Sequence, residues 1–226
     1  MMPVAGAAAV RDSPGMITIH HLDTSRSERI VWLMEELGLP YRLEVTNRTP
    51  KIIAPDAFRA VHPLGRAPVI TDGTTVLAES GAIVQYIVAR HGGGRLSVAP
   101  EQPEFAAYLY WLHYAEGSLM SHLLREWSVE RAAANPEATP GMARLRETTQ
   151  LHFELIETTL AASPYFAGEA FSAADVMMLF PFTTMQKFRA LDLSPYPATV
   201  AYIARIEARP AYQRAMAVAG PGVKAE

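Results

Sequence analysis

The sequence predicts a small α/β unit followed by an all-helical one. Short strand and helix signals alternate from Ile17 to Arg90, and after Gly92-Gly93-Gly94 helical periodicity takes over with few strand signals. Half of the 226 residues are hydrophobic, too rich for a disordered chain, and the length suits one large or two small domains, each with its own core.

Ile17-Thr18-Ile19-His20 reads as the first strand. Ser25 to Leu37 reads as a helix, with Ile30, Leu33, Met34 and Leu37 at helical spacing and Gly38 as its stop. Tyr41 to Thr46 alternates well enough for a second strand, and a short helix is expected between Pro55 and Val61. Pro68 to Thr71 is the third strand, turned by Asp72-Gly73 into a fourth around Thr75-Val76-Leu77. A helix from Glu79 to Arg90 ends at the glycine run. Helical spacing then predicts helices over 103–134, 141–162, 173–190, 198–208 and 211–217, separated by Pro136, Pro140, Pro195 and Pro197. The expected organisation is a disordered extension over 1–15, an α/β domain over 16–94 and a helical domain over 100–226, with the linker near 92–102.

Composition excludes several chemistries. The chain has no cysteine, so it holds no disulfide, iron–sulfur cluster, CxxC redox pair or cysteine nucleophile. Twenty basic residues against 23 acidic ones give a formal charge of −3. The signs are scattered, with none of the basic footprint that nucleic-acid binding requires. No apolar run reaches the roughly 20 residues that span a bilayer, and the first fifteen residues lack the basic start and apolar core of a signal peptide. A cytoplasmic location is expected. The seven histidines show no ligand spacing, and no metal is expected. The sequence has no Walker loop, GxSxG elbow, HExxH or GxGxxG after the first strand.

Three stretches remain. The first strand-to-helix junction runs His20-His21-Leu22-Asp23-Thr24-Ser25-Arg26-Ser27-Glu28-Arg29. Read structurally, Ser25 caps the helix and Glu28 closes a capping box. The same helix start also offers unpaired N–H groups and a positive dipole end, where a hydroxyl can donate to a thiolate. In His62-Pro63-Leu64-Gly65-Arg66-Ala67-Pro68-Val69-Ile70, Pro68 suits the start of a strand or a cis turn. In Leu77-Ala78-Glu79-Ser80-Gly81, the polar pair is either a helix first turn or a ligand contact, Ser80 to a carboxylate and Glu79 to an ammonium group.

Together these stretches resemble the glutathione transferase superfamily, and the similarity covers nearly everything from Met16 onward. SRSERIVWLMEELGLPY, HPLGRAPVI and LAESGAIVQYI occur in the family's order, followed by YWLHYAEGSLM (110–120) and FAGEAFSAADVMM (166–178). The bacterial and fungal transferases with HPLGK-type loops are the most similar subset. Ser172-Ala173-Ala174-Asp175 resembles the family's helix-capping box, whose role is folding.

The resemblance implies a thioredoxin-like N-terminal domain, an all-helical C-terminal domain and a homodimer, with glutathione as co-substrate. Ser25 matches the thiol-activating serine of the serine-type classes. Other classes use a tyrosine or cysteine after the first strand, whereas the first tyrosine here is Tyr41 and cysteine is absent. Ser27 is the alternative and Thr24 a weaker one. By the same resemblance, Ala67 before Pro68 pairs with the cysteinyl part of glutathione, and Glu79 and Ser80 bind its γ-glutamyl end. Arg66 stands where a lysine often reaches the glycine end. Tyr114 and Met120 are candidates for a hydrophobic electrophile site between the domains. The implied activity is conjugation of glutathione to small electrophiles, or peroxide reduction. A non-catalytic ligand binder and a glutathione-dependent isomerase or ether-cleaving enzyme are the alternatives on the same scaffold.

Overall fold

The computed structural model of the protein describes residues 16–49 and 54–225; the extension expected over 1–15 lies outside them. A four-stranded mixed sheet forms the first half. Strand β1 (Ile17–Leu22) runs parallel to β2 (Tyr41–Thr46), joined through helix α1 (Glu28–Leu37) as a crossover. After α2 (Asp56–Val61), β3 (Val69–Asp72) lies antiparallel to β1 and turns into β4 (Thr75–Ala78), giving the order β2-β1-β3-β4. Helix α3 (Ser80–Arg90) closes this thioredoxin-like unit.

The period of two in β1 puts Ile17, Ile19 and His21 on one face and Leu22 on the other. All four are buried. Leu22 packs with Phe58 and Val69 under α2. Ile17 and Ile19 belong to the main core with α1 and α3, which supply Ile30, Leu33, Ile83 and Ile87. Gly38 ends α1 in the left-handed conformation (φ +61°), with its N–H and that of Leu39 returned to Glu35 and Met34 carbonyls. Gly92 stops the chain after α3 at a place where a Cβ would lie 2.9 Å from the Val88 carbonyl oxygen.

The second half is a helical bundle. Helix α4 (Phe105–Tyr114) passes through a π-helical segment (Ala115–Met120) into α5 (Ser121–Ala132). The expected helix over 103–134 is thus one rod with a widened turn in its middle. Helix α6 (Met142–Ala162) returns along it. The expected helix over 173–190 is corrected: α7 (Ala173–Met178) is followed by two 3-10 turns, Phe180–Phe182 and Thr184–Lys187. Pro181 is the physical reason, since it lacks the N–H for the next helical bond and its ring crowds the preceding turn. Ser172 and Asp175 cap α7 reciprocally: the Asp175 carboxylate takes the Ser172 N–H at 2.9 Å, and Ser172 Oγ takes the Ala174 N–H at 3.3 Å. Helices α8 (Pro197–Glu207) and α9 (Pro210–Ala219) complete the bundle.

The two halves share one core. Trp32 of α1, fully buried, meets Tyr212 of α9 edge-to-face at 5.1 Å and Phe171 at 5.6 Å. Arg209 grips both oxygens of Glu36 at 2.7 Å while stacking on Phe171. Among the described residues no helix is long and apolar enough to cross a membrane.

Candidate functional site

The loop between β1 and α1 is shaped from below. Asp23 extends the ladder through its N–H to the Thr46 carbonyl, and Arg48 donates to the carbonyls of Asp23 and Thr24. Thr24 sits at φ +50°, a conformation uncommon for a non-glycine residue. Lys224, from the far end of the chain, holds the Asp23 carboxylate at 2.5 Å. This bracing turns Ser25 toward the space above the sheet while leaving it only 5% exposed.

Only half of the expected cap forms: Ser25 Oγ accepts the Ser27 N–H at 3.3 Å, but Glu28 does not reach back to Ser25. Helix α1 starts at Glu28, and Ser27 at its N-cap makes no side-chain capping bond. Ser27 Oγ instead turns back to His21 Nδ1 at 2.8 Å, Ser25 Oγ at 2.7 Å and the Leu22 N–H at 3.3 Å. The Ser25–Glu28 capping box is therefore corrected. Ser25 gives Glu28 only its backbone carbonyl, and the Glu28 carboxyl is taken by Thr184 from the helical half. Burial depresses His21 to about 4, so its ring is neutral at physiological pH.

The Ala67–Pro68 peptide is cis, as expected at the start of β3. The preceding loop closes through the Gly65 N–H to the His62 carbonyl and leaves Arg66 exposed. At the β4–α3 junction, Glu79 is held at φ +76° and Ser80 is buried on the first turn of α3. Strained non-glycine backbone of this kind is found where the surroundings over-determine a side chain's direction.

Two adjoining cavities result. The smaller, about 110 Å³, is lined by Arg66, Ala67, Pro68, Glu79 and Ser80 together with Arg26 and neighbouring loop residues. The larger, about 250 Å³, has Ser25, Arg48 and Ala67 on the sheet side and Met120, Trp127, Phe180 on the helical side. Arg26, Arg66 and Ala67 belong to both. The structure thus brings Ser25, Arg66, Ala67, Pro68, Glu79, Ser80 and Met120 to one continuous site. Ser27 lies behind Ser25 and reaches neither cavity. Tyr114 does not reach them either: its ring packs on Trp111 inside the bundle and its hydroxyl is bonded to His152 Nδ1.

Residues that sequence reasoning missed complete the wall. Leu124 and Trp127 follow Met120 at four and seven residues, a helical spacing that would have found them from Met120. Phe180, Met185 and Phe188 sit in or beside the irregular turns after α7, where no period exists to read. Arg26 and Arg29 both bond Glu116 in the π-helical turn, which ties the site's floor to the opposite half. Among the described residues no group of metal-ligating side chains is assembled.

Comparison with known proteins agrees with this architecture. The profile of the glutathione S-transferase N-terminal domain matches residues 19–95, and that of the glutathione S-transferase C-terminal domain matches residues 133–210. The chain is similar to glutathione S-transferase 3 of Schizosaccharomyces pombe, with 33% identity over 210 residues that cover 87% of this chain and 85% of the relative. It is also similar to the disulfide-bond oxidoreductase YfcG of Escherichia coli, with 29% identity covering 89% of this chain and 94% of that protein. The crystal structure of a glutathione S-transferase from Actinobacillus pleuropneumoniae superimposes with a TM-score of 0.82 at 32% identity, covering 92% of this chain and 94% of the other.

Proposed function

The chain belongs to the glutathione S-transferase superfamily, and from that premise we propose that it binds glutathione on the sheet half and transfers the thiolate to a small hydrophobic electrophile, with Ser25 as the activating hydroxyl. This reading is carried by the position of Ser25, whose hydroxyl borders both Ala67 and the apolar wall of the larger cavity, while the side chain of Thr24, which lines the same cavity, is hydrogen-bonded to the Asp23 carboxylate. Ser27, the alternative, is fully buried and engaged by three neighbours.

Glutathione fits the donor set as a substrate. Ser80, at the N-terminus of α3, suits the γ-glutamyl carboxylate, and Glu79 suits its ammonium group. Arg66 is a cation for the glycine end, with Arg48 and Arg26 beside it. The backbone of Ala67 serves the cysteinyl unit. The thiol then lies next to Ser25 at the start of α1. A free thiol near pKa ~8.5 is mostly protonated at neutral pH; lowering it by about two units, roughly 2.7 kcal/mol, makes it mostly thiolate. A hydroxyl donor and the positive end of α1 act in that direction. The thiolate attacks an electrophilic carbon held against Trp127 and Phe180 and expels its leaving group, a halide ion in an aryl halide. With a hydroperoxide it attacks the outer oxygen, the O–O bond breaks to release an alcohol after protonation, and a second glutathione converts the glutathione sulfenic acid to the disulfide and water. Any disulfide chemistry must use the sulfur of glutathione, because the chain has no cysteine. A homodimer and a cytoplasmic location complete the reading.

Retention on immobilised glutathione, followed by turnover of aryl halides, hydroperoxides and isomerisable substrates, tests the proposal. Retention with turnover of an aryl halide or a hydroperoxide is expected. Retention with no turnover across the panel would instead make the chain a glutathione-binding module, and failure to bind at millimolar glutathione would overturn the reading.

A further inference from the structure

Behind Ser25 lies a chain of hydrogen bonds whose polarity is set by counting protons. Ser27 Oγ has one proton and two lone pairs. One lone pair takes the Leu22 N–H at 3.3 Å. The remaining lone pair and the proton must serve His21 Nδ1 at 2.8 Å and Ser25 Oγ at 2.7 Å. If Nδ1 carries the proton of the neutral ring, Ser27 accepts from His21 and donates to Ser25. If Nδ1 is bare, Ser27 donates to His21 and draws the Ser25 proton inward.

The other ring nitrogen decides between the two. His21 Nε2 is buried with no partner among the described residues. An orphaned buried N–H is rarer, and worse tolerated, than an under-used acceptor. The proton therefore sits on Nδ1. Ser25 Oγ then accepts the Ser27 hydroxyl and also the Ser27 N–H at 3.3 Å, which fills both of its lone pairs. Its own proton can only point away from Ser27, into the cavity that Ser25 lines.

We infer that His21 is a positioning residue: through Ser27 it fixes Ser25 as an outward hydrogen-bond donor, the polarity a thiolate in the cavity needs. The inference rests on the reading of Ser25 as the thiol-activating hydroxyl. His21 touches neither substrate and acts only through the relay. Its position is prepared by the strand, because the period of two places it on the covered face with Ile17 and Ile19, where water cannot compete for Nδ1. Burial also keeps the ring neutral, so a single tautomer carries the polarity. The charged groups that act on His21 are Asp23 and Arg48, and both stay intact in every variant below.

Two measurements on the full chain test it. Long-range proton–nitrogen NMR correlation of the labelled protein reports the His21 tautomer directly and needs no variant of uncertain folding. Nδ1–H is expected; Nε2–H reverses the relay and overturns the inference. The second measurement titrates bound glutathione by thiolate ultraviolet absorbance. His21→Leu is expected to raise the thiol pKa by about one unit, a tenfold loss of thiolate at a fixed lower pH, with KM for glutathione within about twofold. His21→Asn, which restores an N–H beside Ser27, is expected to bring the pKa back. If Ser25→Ala raises the thiol pKa and His21→Leu does not, the relay is wrong while Ser25 stands. If neither moves it, the Ser25 reading fails and the relay falls with it.

Discussion

The hydroxyl of Thr184 lies 2.8 and 2.7 Å from the two oxygens of the Glu28 carboxyl. It joins the first turn of α1 to the irregular segment after α7. Burial pushes Glu28 up to about 8, against the opposing pull of Thr184 and Arg29. At neutral pH the group holding this junction is thus a protonated carboxyl, and helix α1 begins on an uncharged residue instead of the acid that its dipole would favour.

Stability follows from that proton. The folded carboxyl keeps its proton to about pH 8, whereas its ordinary value is 4.5. Across that window the folded state binds more protons than the unfolded state, so stability is full below the lower value and falls as pH rises through the upper one. Glu28→Gln keeps the shape and cannot ionise. Its Tm relative to wild type is expected to climb steadily from about pH 5 to about pH 8. A difference that stays flat with pH would refute the raised carboxyl.

Ser25→Ala tests the donor at the site. Glutathione affinity is expected to stay within about twofold, while kcat/KM at neutral pH falls by about 10- to 100-fold, the loss that matches one to two units of thiol pKa. The deficit is expected to shrink above about pH 9, where the thiol ionises unaided. An unchanged pH–rate profile would remove Ser25 from the mechanism.

Glu116 is the counterion of two arginines. Arg29 is 1% exposed, bonds Glu116 through Nη1 and faces the Phe180 ring, while its Nε and Nη2 have no partner among the described residues. Against the upward push of burial, Arg29 and Arg26 hold the Glu116 carboxyl below its usual range. Glu116→Ala leaves Arg29 as an uncompensated buried charge and is expected to cost about 3–5 kcal/mol in urea unfolding. Removing the partly exposed Arg26 is expected to cost at most about 1 kcal/mol. Equal small losses from both would mean that Glu116 does not anchor Arg29.

Where a local rule governed an element, the sequence displayed it. The alternation of Ile17 and Ile19, the 3.6-residue spacing through α1 and the stop at Gly38 all matched the structure, because each depends on neighbours a few positions away. The start of α1 matched only in part. Ser25 and Glu28 have the spacing of a capping box, and Ser25 Oγ does take the Ser27 N–H, yet the Glu28 carboxyl is committed to a threonine 156 positions on. Tertiary partners outbid the local cap. Tyr114 stands outside the cavity for the same reason, since its partner His152 comes from α6. The break after α7 is written in the sequence as Pro181. Phe180, Met185 and Phe188 were not legible as a wall, because 3-10 turns carry no lasting period.

That wall yields the last prediction. Trp127 stands one helical face along from Met120 and Leu124, packs near Phe188 at 6.4 Å and has the Arg131 guanidinium over its ring at 5.0 Å. The sheet side of the same cavity carries Arg26, Arg48 and Arg66, so under the proposed function the two sides divide the work: cations for glutathione, apolar surface for the electrophile. Burying an aromatic or large aliphatic group against such a surface is worth about 1.5–3 kcal/mol. Trp127→Ala is expected to raise KM for a hydrophobic aryl electrophile by about 5- to 50-fold and to leave KM for glutathione within about twofold. Trp127→Leu, which keeps apolar surface at the position, is expected to recover most of the loss. The effect should also shrink with small, polar electrophiles, since these leave the indole face unused. A parallel rise in KM for glutathione would mean that the helical wall carries the peptide itself, and the division of the cavity would be wrong.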